Sequence, residues 1–514
     1  MLKNTLLVTI CLILSAVLGF IAQIVFASTF GASAEMDIYF KILSVPAIVT
    51  GIIPIIFASV LIPTFAKFKS NKLELNKFIN SVWIFILAFG FLFALIGSFF
   101  VAKNIEIFTP NNTISSNLGI HLTLMIWLGS GFAILSGYLS AILNYQKEFF
   151  KVSWTALLHG VFIIGFVLLF NESLGVRSIS LGFCIALIIQ FIILLNASKI
   201  SLNLFSFNIK HIPYKKLLLK ESFLVTLSLL PFTILIPIAY FWASKLEIGS
   251  VSYLGYSQSF AGFLSVAVSM GISVVSLPDL ADKYANEQGD SSLYQFEQTL
   301  KYAMMITIFA AGAFITLRLQ ILTLFYGRGI FDAESVKNLS SVVPWYLLAA
   351  VFSSGLNLLR TLFYSRGEYK NIAKLGLIIP IIFFALAGFL KEQFSFVGIG
   401  MANTLTFAIL FFVTIHLAKD KELKFLTGNF LFFLIKNAIA VLFAALFVTL
   451  ILPFISNIIP QLILNGTYQS VFIIALSSFV FLVMYILFAK FALKLQELED
   501  LWVILKSKLK LLNK

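Results

Sequence analysis

The chain has 514 residues, of which 60% are hydrophobic and 11% are charged, and its mean hydropathy is +1.02. A soluble globular protein carries about 25% charged residues, so this composition excludes a water-soluble domain. The net charge of +14 comes from lysines and arginines scattered through short loops. No basic patch with interleaved stacking aromatics occurs, which argues against a nucleic-acid partner.

Uncharged apolar blocks recur along the whole chain, and each is long enough to cross a bilayer as a helix of about 17 to 25 residues. The sequence therefore predicts an all-α polytopic membrane protein with about fourteen transmembrane helices. The first block, from Asn4 to Ala34, is too long for the apolar core of a signal peptide. The predicted helices lie near 5–28, 40–65, 79–102, 119–143, 152–170, 179–198, 222–243, 251–277, 302–325, 339–363, 375–390, 396–418, 430–453 and 468–490.

The boundary between the last two predicted helices lies in one long uncharged stretch. Pro453, Asn457, Pro460 and the turn-forming run 465–467 are predicted to divide it. Two amphipathic segments, 279–301 and the C-terminal tail 493–514, are predicted to lie along the membrane interface.

The distribution of positive charge predicts the orientation of the chain. This helix count places about 26 of the 36 Lys and Arg residues on one side, and short loops rich in Lys and Arg face the cytoplasm. Both termini are therefore predicted to be cytoplasmic, in a bacterial inner membrane.

Short sequence matches indicate an internal repeat at an offset of 215 to 219 residues. The matched pairs are Ala27-Ser28 with Ala243-Ser244, Ile62–Lys67 with Leu277–Asp282, and Ile142–Phe149 with Thr361–Tyr369. Because six helices separate the copies, the repeat is parallel, as in transporters built from two bundles. The predicted domains are an N-terminal lobe (1–200), a C-terminal lobe (201–424), a helix pair (425–492) and the tail (493–514).

No pattern of residues predicts covalent chemistry. The four histidines lack metal-ligand spacing, and neither a phosphate-binding glycine loop nor a long extramembrane loop occurs. The sequence thus predicts a transporter that is not an enzyme and needs no cofactor. A coupling ion or the membrane potential is left open as its driving force.

Charged residues at membrane depth are costly and are candidates for function. Asp37 and Lys41 stand four residues apart on one helix, a spacing at which side chains can pair. Either Lys41 offers a cation to an anionic substrate with Asp37 orienting it, or the two form an ion pair that anchors the helix end. Arg360 either lines a cavity or extends to the headgroups, and Lys436 is a candidate for contact with a lipid phosphate.

A second set of candidates consists of polar residues inside apolar helices. Each is predicted either to face a cavity or to hydrogen-bond between helices. They are Ser15, Gln23, Gln258, Ser259 and Asn403.

Five segments carry a resemblance to a known family: Ser15–Phe20, Phe30–Ala32, Asp37–Phe40 with Pro46, Phe325–Phe331 and Phe363–Arg366. They resemble the MurJ/MviN lipid II flippases, which belong to the multidrug/oligosaccharidyl-lipid/polysaccharide exporter superfamily. The resemblance implies two six-helix lobes around a central cavity and a lipid-facing groove formed by the last helix pair. It also implies alternating-access transfer of an undecaprenyl-pyrophosphate-linked sugar to the periplasmic leaflet. The implied partners are this lipid-linked glycan, membrane lipids and cell-wall or glycan synthases.

The chain departs from the family at its cavity arginines. Ala16 and Ala22 stand where the family carries arginines, and a further family arginine corresponds to Thr50 or a neighbour. Gln258 and Ser259 stand near its acidic–basic pair. Asp37 matches the family pattern. Lys41 of this chain has no counterpart in that pattern. The sequence therefore leaves two substrates possible. One is lipid II, and the other is another lipid-linked oligosaccharide, for capsule, exopolysaccharide or surface glycan. A small-molecule exporter, a membrane glycosyltransferase and a scaffold are the remaining alternatives.

Overall fold

The structure, a computed structural model, describes residues 2–68, 71–108, 113–198, 215–265, 289–365, 369–419, 428–462 and 466–500. The described residues are almost entirely helical. The first nine helices are α1 (Leu2–Phe30), α2 (Ala34–Ile56), α3 (Ile62–Lys67), α4 (Lys72–Lys103), α5 (Thr113–Tyr145), α6 (Phe149–Leu174), α7 (Arg177–Ser198), α8 (Lys215–Thr233) and α9 (Leu235–Ala243). The rest are α10, helical over 250–265, α11 (Gly289–Thr316), α12 (Arg318–Tyr326), α13 (Ala333–Ser365), α14 (Tyr369–Lys419), α15 (Gly428–Leu462) and α16 (Gly466–Leu487).

The helices form two compact units. The first contains Met1–Gly255, Gly329–Phe331 and Tyr369–Ile399, and the second contains Tyr256–Arg328, Asp332–Glu368 and Gly400–Lys514. Each unit thus combines segments that are distant in sequence. The domain boundaries drawn from the sequence stay a prediction.

Helix α5 lies at the centre of the first unit, where it packs against α2, α4 and α7, while α6 packs against α1 and α7. Two glycines allow α4 and α5 to approach closely, because a Cβ added at Gly131 would lie 2.9 Å from the carbonyl oxygen of Gly90. Small residues are favoured at such helix contacts in membranes. The buried Tyr138 hydroxyl donates to the carbonyl of Ile79 at 2.7 Å and ties α5 to α4.

In the second unit, α11 packs against α13 and α15, and α15 packs against α16. Buried polar groups join these helices in pairs. Tyr485 Oη donates to Asn437 Oδ1 at 2.7 Å between α16 and α15, and Thr404 Oγ1 donates to the carbonyl of Trp345 at 2.5 Å. Hydrogen bonds of this kind satisfy polar groups that have no water to bond with in lipid.

Membrane crossing is supported by twelve described helices that are long and apolar enough to span a bilayer. One of these candidates, Gly376–Leu417, contains a backbone reversal at Ser395 that divides it at the boundary predicted between the eleventh and twelfth helices. Residues 250–265 cover the start of the predicted helix 251–277, whose remainder lies outside the described residues. The all-α polytopic fold is confirmed, and fourteen spans remain an approximate count.

Three predicted boundaries were wrong. The span predicted at 302–325 is interrupted at Leu317, between α11 and α12. Helix α11 begins at Gly289, which lies inside the segment 279–301 that was predicted to be interfacial. Helix α15 continues through Pro453 and Pro460 to Leu462, because neighbouring groups can satisfy the carbonyls that a proline leaves unpaired in a membrane helix.

The internal repeat is supported by two matching turns. Gly175, between α6 and α7, has φ 55° and ψ −139°, and Ser395, inside α14, has φ 52° and ψ −140°. The two positions are 220 residues apart, close to the offset of the sequence matches. The same backbone reversal thus recurs between corresponding helices of the two halves.

Candidate functional site

A polar cavity of about 450 Å³ lies within the first unit, among α1, α2, α5, α6 and α7. Its volume falls in the range of small-molecule binding pockets, which are about 300 to 1,000 Å³. The polar side chains in its wall are Ser15, Thr50, Ser136, Ser140, Asn144, Ser153, His159 and Gln190. The remaining lining residues are apolar or glycine.

Most of these polar groups have no partner within the protein. Thr50 and Ser153 donate to backbone carbonyls of their own helices, at 3.3 Å and 2.9 Å. Among the described residues, no protein hydrogen bond engages the side chains of Ser15, Ser136, Ser140, Asn144, His159 and Gln190. A buried polar group without a partner is unfavourable, so this wall is suited to water or to a ligand rich in hydrogen-bonding groups.

Helix α5 provides the main polar stripe of the wall. Ser136, Ser140 and Asn144 follow one another at intervals of four residues, so they share one face of the helix. The opposite side of α5 carries the buried Leu135, Tyr138 and Leu139, which belong to the apolar core. Sequence reasoning missed this stripe, although its regular spacing inside an apolar helix is a signal that predicts a polar face.

Helices α6 and α7 add His159 and Gln190 to the same cavity. The imidazole of His159 lies against the ring of Phe183, with the ring centroids 5.1 Å apart and the planes at 69°. This edge-to-face contact fixes the orientation of the imidazole. His159 and Gln190 were also missed, because only the packing of α6 and α7 against the other helices brings them together.

Helix α2 separates the polar cavity from an apolar pocket. Thr50 and Pro54 of α2 face the cavity, as does Ala58 of the π-helical segment Phe57–Leu61 that follows α2. The other face of this segment lines a pocket of about 250 Å³ with residues of α4 and α8. Its lining is Ile56, Phe57, Val60, Leu61, Val82, Phe85, Ile86, Leu218, Leu219 and Ser222. Such π-helical turns are rare and are frequent at functional sites.

Asp37 makes a structural contact in the first unit. Its carboxylate accepts hydrogen bonds from the backbone N–H of Gly249 at 2.7 Å, and from the N–H and hydroxyl of Ser252 at 2.8 Å and 2.6 Å. These donors lie at the start of α10, so Asp37 caps that helix from α2. None of the three bonds involves Lys41, which is partly buried one turn further along α2.

Of the other residues of the first unit that the sequence singled out, some line the cavity and others lie outside its lining. Ser15 lines the cavity, as does Thr50, which stands at or next to a position where the resemblance implies an arginine. Gln23 is outside the lining and has a buried Oε1 for which the described residues provide no hydrogen-bond donor. Lys41 is also outside the lining of this cavity.

The remaining predicted residues belong to the second unit. Gln258 and Ser259 on α10 and Asn403 on α14 are partly buried. Arg360 Nη2 donates to Asn357 Oδ1 on the preceding turn of α13. Lys436 Nζ donates to the carbonyl of Leu493 at 3.0 Å and lies 4.6 Å from the ring centroid of Phe432, so its ammonium already has partners within the chain.

Metal binding has no support in the described part of the chain, where no group of three or more His, Cys, Asp or Glu side chains is placed to hold an ion. The cavity lining includes only one ionisable side chain, His159. The wall can therefore donate and accept hydrogen bonds but carries no fixed charge.

A family model described as "Lipid II flippase MurJ" matches residues 26–468. The chain belongs to the MurJ family. The match spans α2 to the start of α16, and the polar cavity lies in α1, α2, α5, α6 and α7 of this fold. Family membership identifies a membrane transporter and not an enzyme.

Curated relatives of the same family cover nearly the whole chain. A probable lipid II flippase MurJ of Buchnera aphidicola subsp. Baizongia pistaciae is 26% identical over 488 residues, which is 92% of each chain. The corresponding protein of Aquifex aeolicus is 26% identical over 413 residues, or 78% of each chain. The chain is therefore similar in length as well as in sequence to members of the MurJ family.

Solved structures agree on the fold. A lipid II flippase MurJ in an inward closed conformation matches with a TM-score of 0.77 at 21% identity, over 94% of this chain and 99% of that one. An inward-facing multidrug transporter of the MATE family matches with a TM-score of 0.63 at 13% identity, over 80% of this chain and 96% of that one. The chain thus shares its fold with both of these solved structures.

Proposed function

We propose that this chain is a flippase for lipid II, which carries an undecaprenyl-pyrophosphate-linked sugar precursor of peptidoglycan from the cytoplasmic to the periplasmic leaflet. The match to the MurJ family over most of the chain carries this proposal. Alternating access of the two halves would move the headgroup while the polyprenyl tail stays in lipid along α15 and α16.

The polar cavity supports the proposal chemically. A pyrophosphate–sugar headgroup is rich in hydrogen-bond acceptors and hydroxyls, and the cavity wall offers hydroxyl, amide and imidazole groups without protein partners. Burying such a headgroup without partners would cost several kcal/mol. A wall that pairs with it therefore lowers the barrier to crossing the bilayer.

A second candidate substrate is another lipid-linked oligosaccharide, for capsule, exopolysaccharide or surface-glycan assembly. The observation that favours it is the neutral wall, in which Thr50 stands at or next to a position where the family resemblance implies an arginine. Two further such positions, outside the lining of this cavity, are Ala16 and Ala22. Hydrogen bonds to charged donors are about twice as strong as those between neutral groups. A headgroup with less charge than a pyrophosphate would suit this wall better.

Complementation separates the two substrates. The chain is expressed in cells depleted of their own lipid II flippase, and growth and lipid II exposure on the outer leaflet are followed. Rescue supports the lipid II assignment. Failure to rescue, with the protein inserted in the inner membrane, overturns it and favours the other lipid-linked glycan.

Reporter fusions at each terminus test whether both termini are cytoplasmic, and co-purification tests the proposed contact with cell-wall or glycan synthases.

A further inference from the structure

The polar cavity of the first unit contains one side chain that can bind a proton and become a cation. His159 on α6 is the only ionisable residue in the cavity lining. Neither ring nitrogen has a hydrogen-bond partner among the described residues. A neutral imidazole has one nitrogen that can accept a proton, and both nitrogens of an imidazolium are donors.

The ionisable side chains on the helices that pack against α6 do not line the cavity. Helix α6 packs against α1, α5 and α7, whose described ionisable side chains are Cys11, His121, Tyr138, Tyr145, Arg177 and Cys184. None of these six lines the cavity. On α6 itself, Lys151 pairs with Glu148 at 3.3 Å, near the start of the helix, and Glu172 lies near its other end.

The ring contact of His159 is compatible with a charged state. Phe183 packs against the imidazole at 69° and also lines the cavity, so the ring is held at its edge while its nitrogens are left without protein partners. Ser15, Asn144 and Gln190 in the same wall can donate to the same ligand. The cavity therefore provides several neutral donors and one group that can become a cation.

We propose that His159 takes up a proton when an anionic headgroup enters the cavity, and that the imidazolium so formed hydrogen-bonds the phosphate oxygens. This inference rests on the proposed function, since it assigns the group that balances the headgroup charge. The proton comes from the solvent on the side from which the headgroup enters. It leaves the imidazole when the anion departs, so each headgroup moved is accompanied by one proton.

The pH dependence of ligand binding tests this proposal. The full-length protein in detergent is titrated with farnesyl diphosphate, a short prenyl diphosphate, at pH 6 and pH 8. The wild type is expected to bind about tenfold more tightly at pH 6, because binding is coupled to the uptake of a proton, which is more available at the lower pH. H159Q is expected to lose this difference, apart from the share caused by titration of the diphosphate itself. H121Q, which changes an exposed histidine of α5, is the matched control and should keep the wild-type profile.

Proton uptake on binding gives a second readout, which loss of packing alone would not change. In weakly buffered solution at pH 7.5, the wild type should take up about one more proton per bound diphosphate than H159Q. H159R should bind tightly at both pH values, because its charge is fixed. If H159Q does not fold, the comparison of the wild type with H159R and the proton count still test the proposal.

The outcomes distinguish this inference from the function on which it rests. No binding of the prenyl diphosphate at any pH would count against a lipid-pyrophosphate substrate. Binding that is equally pH-dependent in the wild type, H159Q and H121Q would overturn the role of His159 and leave the proposed function standing.

Discussion

The carboxylate of Asp37 on α2 is joined to Ser252 at the start of α10 by two hydrogen bonds of 2.8 Å and 2.6 Å, across a separation of 215 residues. A third bond, from the N–H of Gly249, completes the contact. The first N–H groups of a helix lack partners within it, and a carboxylate is favoured at the positive end of the helix dipole. Asp37 therefore fixes the start of α10 against α2.

Replacement of this carboxylate should destabilise the protein. D37A is expected to lower the free energy of unfolding by about 2 to 3 kcal/mol, because hydrogen bonds to charged groups contribute about 1.5 to 3 kcal/mol. Thermal unfolding of the purified protein measures the change. E35A, at an exposed position in the same turn of α2, should leave the midpoint unaltered. A wild-type midpoint in D37A combined with lost transport would show that Asp37 acts on the substrate instead.

Polar groups of the cavity should affect binding without affecting stability. N144A and Q190A are each expected to weaken binding of a prenyl diphosphate about fivefold, the equivalent of one neutral hydrogen bond of about 1 kcal/mol. Their unfolding midpoints should not fall, since neither side chain bonds to the protein. S153A is the matched control, because Ser153 faces the same cavity but donates to the carbonyl of Phe149. Equal losses in all three variants would contradict the assignment.

The segment that follows α16 is held by a largely buried ion cluster in the second unit. Lys301 Nζ lies 3.0 Å from Glu297 and 3.3 Å from Glu497, and the three side chains are only 12% to 15% exposed. K301A is expected to cost about 3 kcal/mol, because it leaves two carboxylates without their cation. Hydrogen exchange of residues 493–500 should accelerate in parallel.

The exposed pair formed by Lys490 and Glu499, at 3.5 Å, provides the control for this cluster. K490A should cost less than about 1 kcal/mol, as surface pairs do. If K301A and K490A have the same effect, the buried cluster does not hold the C-terminal segment.

The glycine-rich loop after α12 is predicted to tolerate no side chain at Gly329. This residue has φ +61°, and an added Cβ would overlap the carbonyl oxygen of Ser28 at the end of α1. The next residue, Ile330, donates its N–H to the same oxygen at 3.0 Å. G329A should lower stability by about 1 to 3 kcal/mol. G19A, on α1 with open space around it, should be neutral or slightly stabilising, since alanine favours helices.

The two matching turns predict substitutions of opposite sign. Ser395 adopts the same positive φ that Gly175 adopts, and a residue with a Cβ is strained there by about 1 kcal/mol or more. S395G is expected to raise the unfolding midpoint, and G175S is expected to lower it. Midpoints that move in the same direction would show that neighbouring contacts, rather than the backbone, determine stability at these turns.

The helices could be predicted from the sequence because lipid imposes a simple rule of length and apolarity. The rule gave wrong boundaries at two places. At Leu317 one apolar run is divided into two helices, and at Pro453 α15 continues through the proline. The cavity was predicted only at Ser15. The stripe from Ser136 to Asn144 could have been recognised by its spacing, but His159 and Gln190 show no sequence pattern and meet only through helix packing.

The neutral wall of the cavity also determines how binding responds to dissolved salt. A site built from arginines attracts its ligand through charge, and mobile ions screen that attraction over about 10 Å at 0.1 M salt. Hydroxyl and amide groups act only at contact, where screening has little effect. The affinity of this cavity should therefore change less with ionic strength than that of a site built from several arginines, because the imidazolium proposed at His159 would be the one charge in its lining.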